Sequence, residues 1–202
     1  MSLVNLIAQA DERGLTASGL ACLDRCVPLL GGDDEALRPL WGSLVDGGGD
    51  WGASLEKARA ALRPQDPGED EAARLAHRML DAAPDECTGA AVRVWADACS
   101  VAALRVHRLL EPAEGGTGTG TDNTALALRP RPLAAVRARR TTGERRTEGM
   151  SPLVAAELRR QVTVLELLAE RGAGGLRRVL DVTTEGRRVL AAVVSRRARG
   201  RA

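Results

Sequence analysis

Large aromatic side chains are almost absent from this chain of 202 residues, which contains three tryptophans, no phenylalanine and no tyrosine. A core must therefore be built mainly from leucine, valine and alanine. Such a composition favours closely packed helices, because strands are typically stabilised by aromatic and β-branched side chains. Since 44% of the residues are hydrophobic and 28% are charged, the chain can bury a core and extensive disorder is not expected. The sequence thus predicts an all-α fold.

The most regular apolar pattern lies between residues 86 and 111. Val92, Trp95 and Cys99 belong to an apolar stripe that keeps helical spacing over five turns. This stripe predicts the central helix of an N-terminal helical bundle over residues 1–112, with Trp95 anchored in the core.

Two short helices are predicted at the start of the bundle. Ser2 is a typical capping residue for the first helix. Gly14 is a typical helix terminator, so the first helix is expected to end there. Thr16 then marks the start of the second helix.

A further helix start is indicated by the pair Ser151-Pro152, because proline is favoured at the first helical position. Residues 151–202 are therefore predicted to form a basic helical hairpin, whose second helix covers residues 184–199. An isolated pair of helices buries little surface. The apolar stripe of the hairpin is expected to pack on the bundle, or on a second copy of the chain in a homodimer.

The net charge of +2 conceals two halves of opposite charge. Residues 1–125 contain 11 basic and 20 acidic side chains, whereas residues 126–202 contain 18 basic and 7 acidic ones. Between them, residues 113–150 are predicted to form a Gly/Thr-rich loop followed by a basic segment rich in arginine and proline. This split favours a protein whose basic half binds a polyanion or an acidic surface.

Two functional hypotheses follow from this charge distribution. The first is a non-enzymatic helical interaction or scaffolding protein, whose basic half docks on an acidic protein partner or on the acidic half of the same chain. The second is a DNA-binding transcriptional regulator that places arginines on phosphates. In both hypotheses the candidate binding residues are Arg137, Arg139, Arg140, Arg145, Arg146, Arg187, Arg188, Arg196 and Arg197.

One stretch resembles a known family. The residues from Leu180 to Leu190, LDVTTEGRRVL, resemble the end of the wing in MarR- and PadR-type winged-helix regulators, where a strand finishes in a turn and opens a dimerisation helix. Residues 151–158 look like the first helix of a helix-turn-helix, which would make residues 162–172 the recognition helix. The resemblance implies an alternative to the helical hairpin, namely a C-terminal winged-helix-like unit that binds DNA.

Several classes of function lack their usual motifs. The single lysine, Lys57, does not lie in a phosphate-binding P-loop, and the G-x-S-x-G and H-E-x-x-H motifs are absent. We therefore expect a non-enzymatic protein that uses no cofactor, and an enzyme stays open as the third alternative. The four cysteines lack zinc-site spacing, so we expect reduced core thiols and no metal; they are Cys22, Cys26, Cys87 and Cys99.

The sequence also predicts the compartment and the kind of source organism. No stretch longer than ten residues is free of charge, so no membrane span is expected. The N-terminus has no basic region typical of a secretory signal, and we expect a cytoplasmic protein. The preference for arginine over lysine, together with 22 glycines, indicates the coding bias of a GC-rich bacterial genome.

Overall fold

The computed structural model describes residues 2–31, 35–46, 50–62, 70–111 and 149–200. Every regular element in these ranges is helical, which confirms the all-α prediction. The α-helices are α1 (Leu3–Gln9), α2 (Glu12–Arg25), α3 (Arg38–Asp46), α4 (Trp51–Ala61), α5 (Glu71–Asp81), α6 (Gly89–Leu109), α7 (Pro152–Arg171) and α8 (Leu176–Arg199). Short 3₁₀ turns follow α2 at Val27–Leu29 and join α7 to α8 at Gly172–Gly175.

The first two helices differ from the prediction in their boundaries. Ser2 caps α1 as expected, and its Oγ accepts a hydrogen bond from the amide of Asn5. However, α1 ends at Gln9, and the carboxylate of Asp11 accepts a hydrogen bond from the amide of Gly14 at 2.7 Å. This cap starts α2 at Glu12, so Gly14 lies inside a helix. The prediction that Gly14 ends the first helix is wrong because an N-cap carboxylate satisfies its amide.

Helix α2 forms the centre of the fold. All its residues from Gly14 to Arg25 are buried, and the helix packs against α6, α7 and α8. The amide of Gly89 donates to Glu12 at 2.7 Å, so α2 and α6 start side by side. Trp95 of α6 is 3% exposed and donates its indole N–H to the carbonyl of Met79 at 2.9 Å. This contact confirms Trp95 as a core anchor.

The two C-terminal helices pack on the rest of the chain. Apolar residues of α7 and α8 belong to the same core cluster as those of α2 and α6, among them Val164, Leu176 and Leu190. Their apolar surface is therefore covered by the bundle of the same chain. The homodimer stays a prediction.

The winged-helix alternative is wrong for residues 151–199. The expected strand and wing turn lie inside α8, and α7 has no turn at residues 159–161. The last helix begins at Leu176 rather than at residue 184 because its buried stripe already starts there and continues through Val179 and Thr183. The Thr183 hydroxyl donates to the carbonyl of Val179 at 2.7 Å, which satisfies it within the helix.

Two sequence predictions concern other parts of the chain. The loop and basic segment predicted for residues 113–150 lie outside the described residues, apart from Gly149 and Met150. Among the described helices, none combines the length and the apolar composition needed to cross a membrane.

The close approach of α2 to α6 gives a test of this packing. A Cβ atom on Gly19 would lie 2.7 Å from Cζ3 and 2.9 Å from Cε3 of Trp95, whose ring is fixed by its hydrogen bond. We expect Gly19→Ala to lower the free energy of unfolding by about 1–3 kcal/mol through overpacking. Chemical denaturation measures this change.

Gly42→Ala in α3 is the matched control, because a Cβ there meets no atom within 4 Å. It should leave stability unchanged or raise it by about 0.5–1 kcal/mol through helix propensity. Equal stability of the two variants would contradict the packing of α2 against Trp95.

Candidate interaction surface

A fully buried ion pair joins the N-terminal and C-terminal parts of the chain. Arg25, the last residue of α2, places Nε 2.8 Å from Oε2 of Glu157 and Nη2 2.6 Å from Oε1 of the same carboxylate. Neither side chain is exposed to solvent. Two parallel N–H···O bonds give arginine and carboxylate both strength and a defined orientation. The pair thus fixes the last turn of α2 against the start of α7.

Both members of this pair are held in their charged forms. Burial opposes the charge of Glu157, but attraction by Arg25 and His107 outweighs it and lowers the pKa of Glu157 below its ordinary value of 4.5. Burial also opposes the charge of Arg25, and the nearby Glu157 and Cys22 together raise the pKa of Arg25 above its ordinary value. Because each buried ion is costly alone, each charge depends on the presence of the other.

Three further polar side chains surround the Glu157 carboxylate. Gln161 Nε2 donates to Glu157 Oε1 at 2.9 Å, and Ser100 Oγ donates to Gln161 Oε1 at 2.7 Å. His107 Nε2 lies 3.7 Å from Glu157 Oε2, while Nδ1 of the same ring lies 2.8 Å from the carbonyl oxygen of Ala103. All the side chains of this network are at most 1% exposed. Because no substrate reaches them from solvent, we interpret the network as a structural link among α2, α6 and α7.

Three cysteine thiols beside the network, those of Cys22, Cys26 and Cys99, are also buried away from solvent. Arg25 Nη2 donates to the sulfur of Cys22 at 3.4 Å. Burial raises the pKa of Cys26 and of Cys99 well above the ordinary value, which keeps these thiols protonated and unreactive. All four cysteines are free. Within the described ranges, no group of three or more potential metal ligands comes together.

A second ion pair holds the last helix. Arg187 of α8 places Nη1 2.8 Å from Oδ1 of Asp24, and the indole N–H of Trp41 donates to Oδ2 at 2.7 Å. Burial raises the pKa of Asp24, although both Arg187 and Trp41 act to lower it. Asp24 and Arg25 are adjacent and oppositely charged. They bind α8 and α7 respectively, so one turn of α2 holds both C-terminal helices.

The predicted binding residues fall into three groups. Arg187 is engaged by Asp24, and Arg197 Nη1 donates to the carbonyl of Leu109 at 3.3 Å, so both serve contacts within the chain. Arg188 and Arg196 are exposed on α8. The remaining predicted residues lie outside the described residues; they are Arg137, Arg139, Arg140, Arg145 and Arg146.

Exposed arginines line the second half of α8 and the last turn of α6. The bond from Arg197 to Leu109 joins the last turn of α8 to the last turn of α6. Helix α7 also begins here, because its contacts with α6 are antiparallel. Among the described residues, no acid forms an ion pair with the exposed arginines at this end. We call this surface the basic end and define it by Arg108 on α6 and by Arg188, Arg196 and Arg199, which extend from the middle of α8 to its last turn.

A groove of about 430 Å³ lies between α7 and α8, next to the basic end. Arg159 and Arg160 line its α7 wall, and Asp181 and Glu185 line its α8 wall. None of these four residues is predicted as a binding residue from the sequence. Each lies off the apolar stripe of its helix, but the groove arises only from the antiparallel packing of α7 on α8, for which the sequence has no local signal.

Comparison of the chain with protein-family models, with curated proteins and with solved structures found no match. The function is therefore inferred from the surfaces described above.

The buried ion pair gives a pH-dependent test. Glu157→Gln leaves the charge of Arg25 uncompensated in the core, and we expect it to lower the free energy of unfolding at pH 7 by about 3–5 kcal/mol. The folded pKa of Glu157 lies below the unfolded value, so the stability it contributes is complete above pH 4.5. It is lost as the pH falls through the folded pKa. The penalty of the substitution should therefore shrink below pH 4.5, as urea unfolding at several pH values would show.

Glu166→Gln is the control on the same helix, because Glu166 is exposed. It should change stability by less than about 0.5 kcal/mol at every pH. A Glu157→Gln penalty that is small at pH 7, or that grows as the pH falls, would contradict the ion pair.

Proposed function

We propose that this protein is a non-enzymatic interaction protein that binds an acidic protein partner through its basic end. The observation that carries the proposal is the contrast between the charges of the C-terminal helices. Arg187 is neutralised inside the chain by Asp24, whereas Arg188 and Arg196 are exposed and have no acidic partner among the described residues. Unpaired charges grouped on one surface attract an oppositely charged partner and accelerate its association.

A non-enzymatic role is supported by the placement of the titratable groups. The network that resembles an acid–base site is the one around Glu157 and His107, and both side chains are sealed in the core. Free cysteines are typical of a reducing compartment, which supports the cytoplasm as the place where the protein acts.

An acidic protein suits this surface better than nucleic acid. All three tryptophans of the chain are at most 8% exposed, so no aromatic side chain is available to stack on bases. The helix that the winged-helix resemblance assigned to base recognition is packed into the core through Val164 and Leu168.

The test is binding of a fluorescein-labelled 20-residue poly-L-glutamate peptide, measured by anisotropy at low and at physiological salt. The double variant Arg188→Glu, Arg196→Glu should weaken binding roughly tenfold, because it reverses two charges that face the probe. Arg13→Glu with Arg171→Glu is the matched control, since both residues are exposed and Arg171 lies at the end of α7 opposite the end that meets the basic end. At physiological salt it should weaken binding no more than about threefold, because salt screens charges that lie outside the binding surface.

A random-sequence DNA duplex of 20 base pairs is the second probe in the same assay. Tighter binding to DNA than to polyglutamate, lost in the Arg188/Arg196 variant, would overturn the proposal in favour of nucleic acid. Failure of polyglutamate to bind at low salt would also contradict it.

A further inference from the structure

The groove between α7 and α8 contains a cation, Arg160, that no described residue contacts at hydrogen-bond or ion-pair distance. Arg160 is about half buried, yet its guanidinium forms no hydrogen bond or ion pair with any residue that the structure describes. A charge that has lost part of its hydration gains more from an added carboxylate than a fully hydrated charge does. Arg160 is thus a stronger candidate for carboxylate binding than an arginine on the open surface.

The packing of α8 explains why Arg160 takes this position. Gly186 faces the side chains of Arg160 and Arg25, and a Cβ atom on Gly186 would lie 3.0 Å from Cδ of Arg160 and closer still to Cδ of Arg25. The absence of a side chain at Gly186 lets both arginine stems pass between the helices. Arg25 turns inward to Glu157, while Arg160 borders the groove.

The electrostatic environment of Arg160 also favours the binding of a carboxylate. Burial lowers the pKa of Arg160, and the positive charge of Arg25 adds to this effect, although Glu157 and Glu185 act against it. A bound carboxylate would relieve this destabilised charge. Arg159, its exposed neighbour on the same wall, supplies a second donor.

The opposite wall of the groove is acidic. Asp181 and Glu185 are one helical turn apart on α8, with the apolar Val182 between them. These carboxylates repel a ligand that carries acids at every position. They tolerate, or attract, a neutral or basic residue about one turn away from the acid that reaches Arg160.

We infer that this groove receives a carboxylate side chain of the acidic protein partner on Arg160 and Arg159, and that Asp181 and Glu185 select partners whose acids are spaced rather than continuous. This inference rests on the proposed function, and it adds the residues that set specificity. Arg188 of the basic end lies one helical turn beyond Glu185 of the groove wall on the same helix. A partner segment that lies in the groove therefore also reaches the basic end.

The test uses the polyglutamate probe at 0.15 M salt, where charges more than about 8 Å away are largely screened. Arg160→Gln keeps much of the side-chain stem and should weaken binding roughly fivefold, because it removes a partly desolvated cation. Arg171→Gln, an exposed arginine near the other end of α7, is the control and should leave binding unchanged.

The double variant Asp181→Asn, Glu185→Gln should act in the opposite direction. It removes the repulsion of an all-acidic probe, so binding should strengthen about threefold to tenfold. Glu166→Gln with Glu170→Gln removes two exposed carboxylates of α7 outside the groove lining and should leave affinity unchanged. Because Asp181 and Glu185 are exposed, this variant should fold even if Arg160→Gln does not.

The outcomes separate the two proposals. If the groove variants bind like their controls while the Arg188/Arg196 variant still weakens binding, the groove is not the site and the proposed function stands. If polyglutamate does not bind the wild-type protein at low salt, the proposed function and the groove are both overturned. Opposite shifts for the Arg160 and the Asp181/Glu185 variants would support the groove.

Discussion

The buried pair of Arg25 and Glu157 is the interaction on which the arrangement of the helices depends. Two charges separated by 132 positions in sequence meet without solvent, and each is tolerated only because the other is present. The neighbouring Asp24 forms a second, partly buried ion pair with Arg187. One turn of α2 therefore fixes both C-terminal helices. Apolar packing fixes α7 and α8 against the bundle, and the two ion pairs add directional contacts that form only at one register of these helices.

This register also determines which charges remain outside. Once Arg187 is turned inward, Arg188 and Arg196 are left on the surface of α8. Once Gly186 admits the stem of Arg25, the same gap admits Arg160 and places it at the groove. The proposed binding surface is thus a consequence of how the core satisfies its own charges. The acidic and basic halves of the chain partly neutralise each other through Asp24 and Arg187. The exposed arginines that remain, such as Arg188 and Arg196, form the surface proposed to bind a partner.

The sequence predicted local features better than those that depend on distant contacts. The scarcity of aromatics predicted helices, and the Ser151-Pro152 start and the stripe around Trp95 correspond to real helices because each signal lies within a few residues. The prediction that Gly14 ends the first helix was wrong, because helix propensity does not show that Asp11 caps the Gly14 amide. The winged-helix alternative at residues 180–190 was wrong because the motif is short and the apolar stripe of α8 continues through it, which favours one helix. Arg25 is a charged residue in a largely apolar helix, but no local sequence signal identifies Glu157 as its partner. The groove could not be predicted because it forms only where α7 and α8 pack together.

A double-mutant cycle on the buried pair tests this account most directly. The variants are Arg25→Met, Glu157→Gln and the double variant, and the measured quantity is the free energy of unfolding at pH 7. If the two charges depend on each other, the double variant should be less destabilised than the sum of the single variants, with a coupling energy of about 2–3 kcal/mol. Additive effects within about 0.5 kcal/mol would contradict it, because they would mean that the two side chains do not interact in solution.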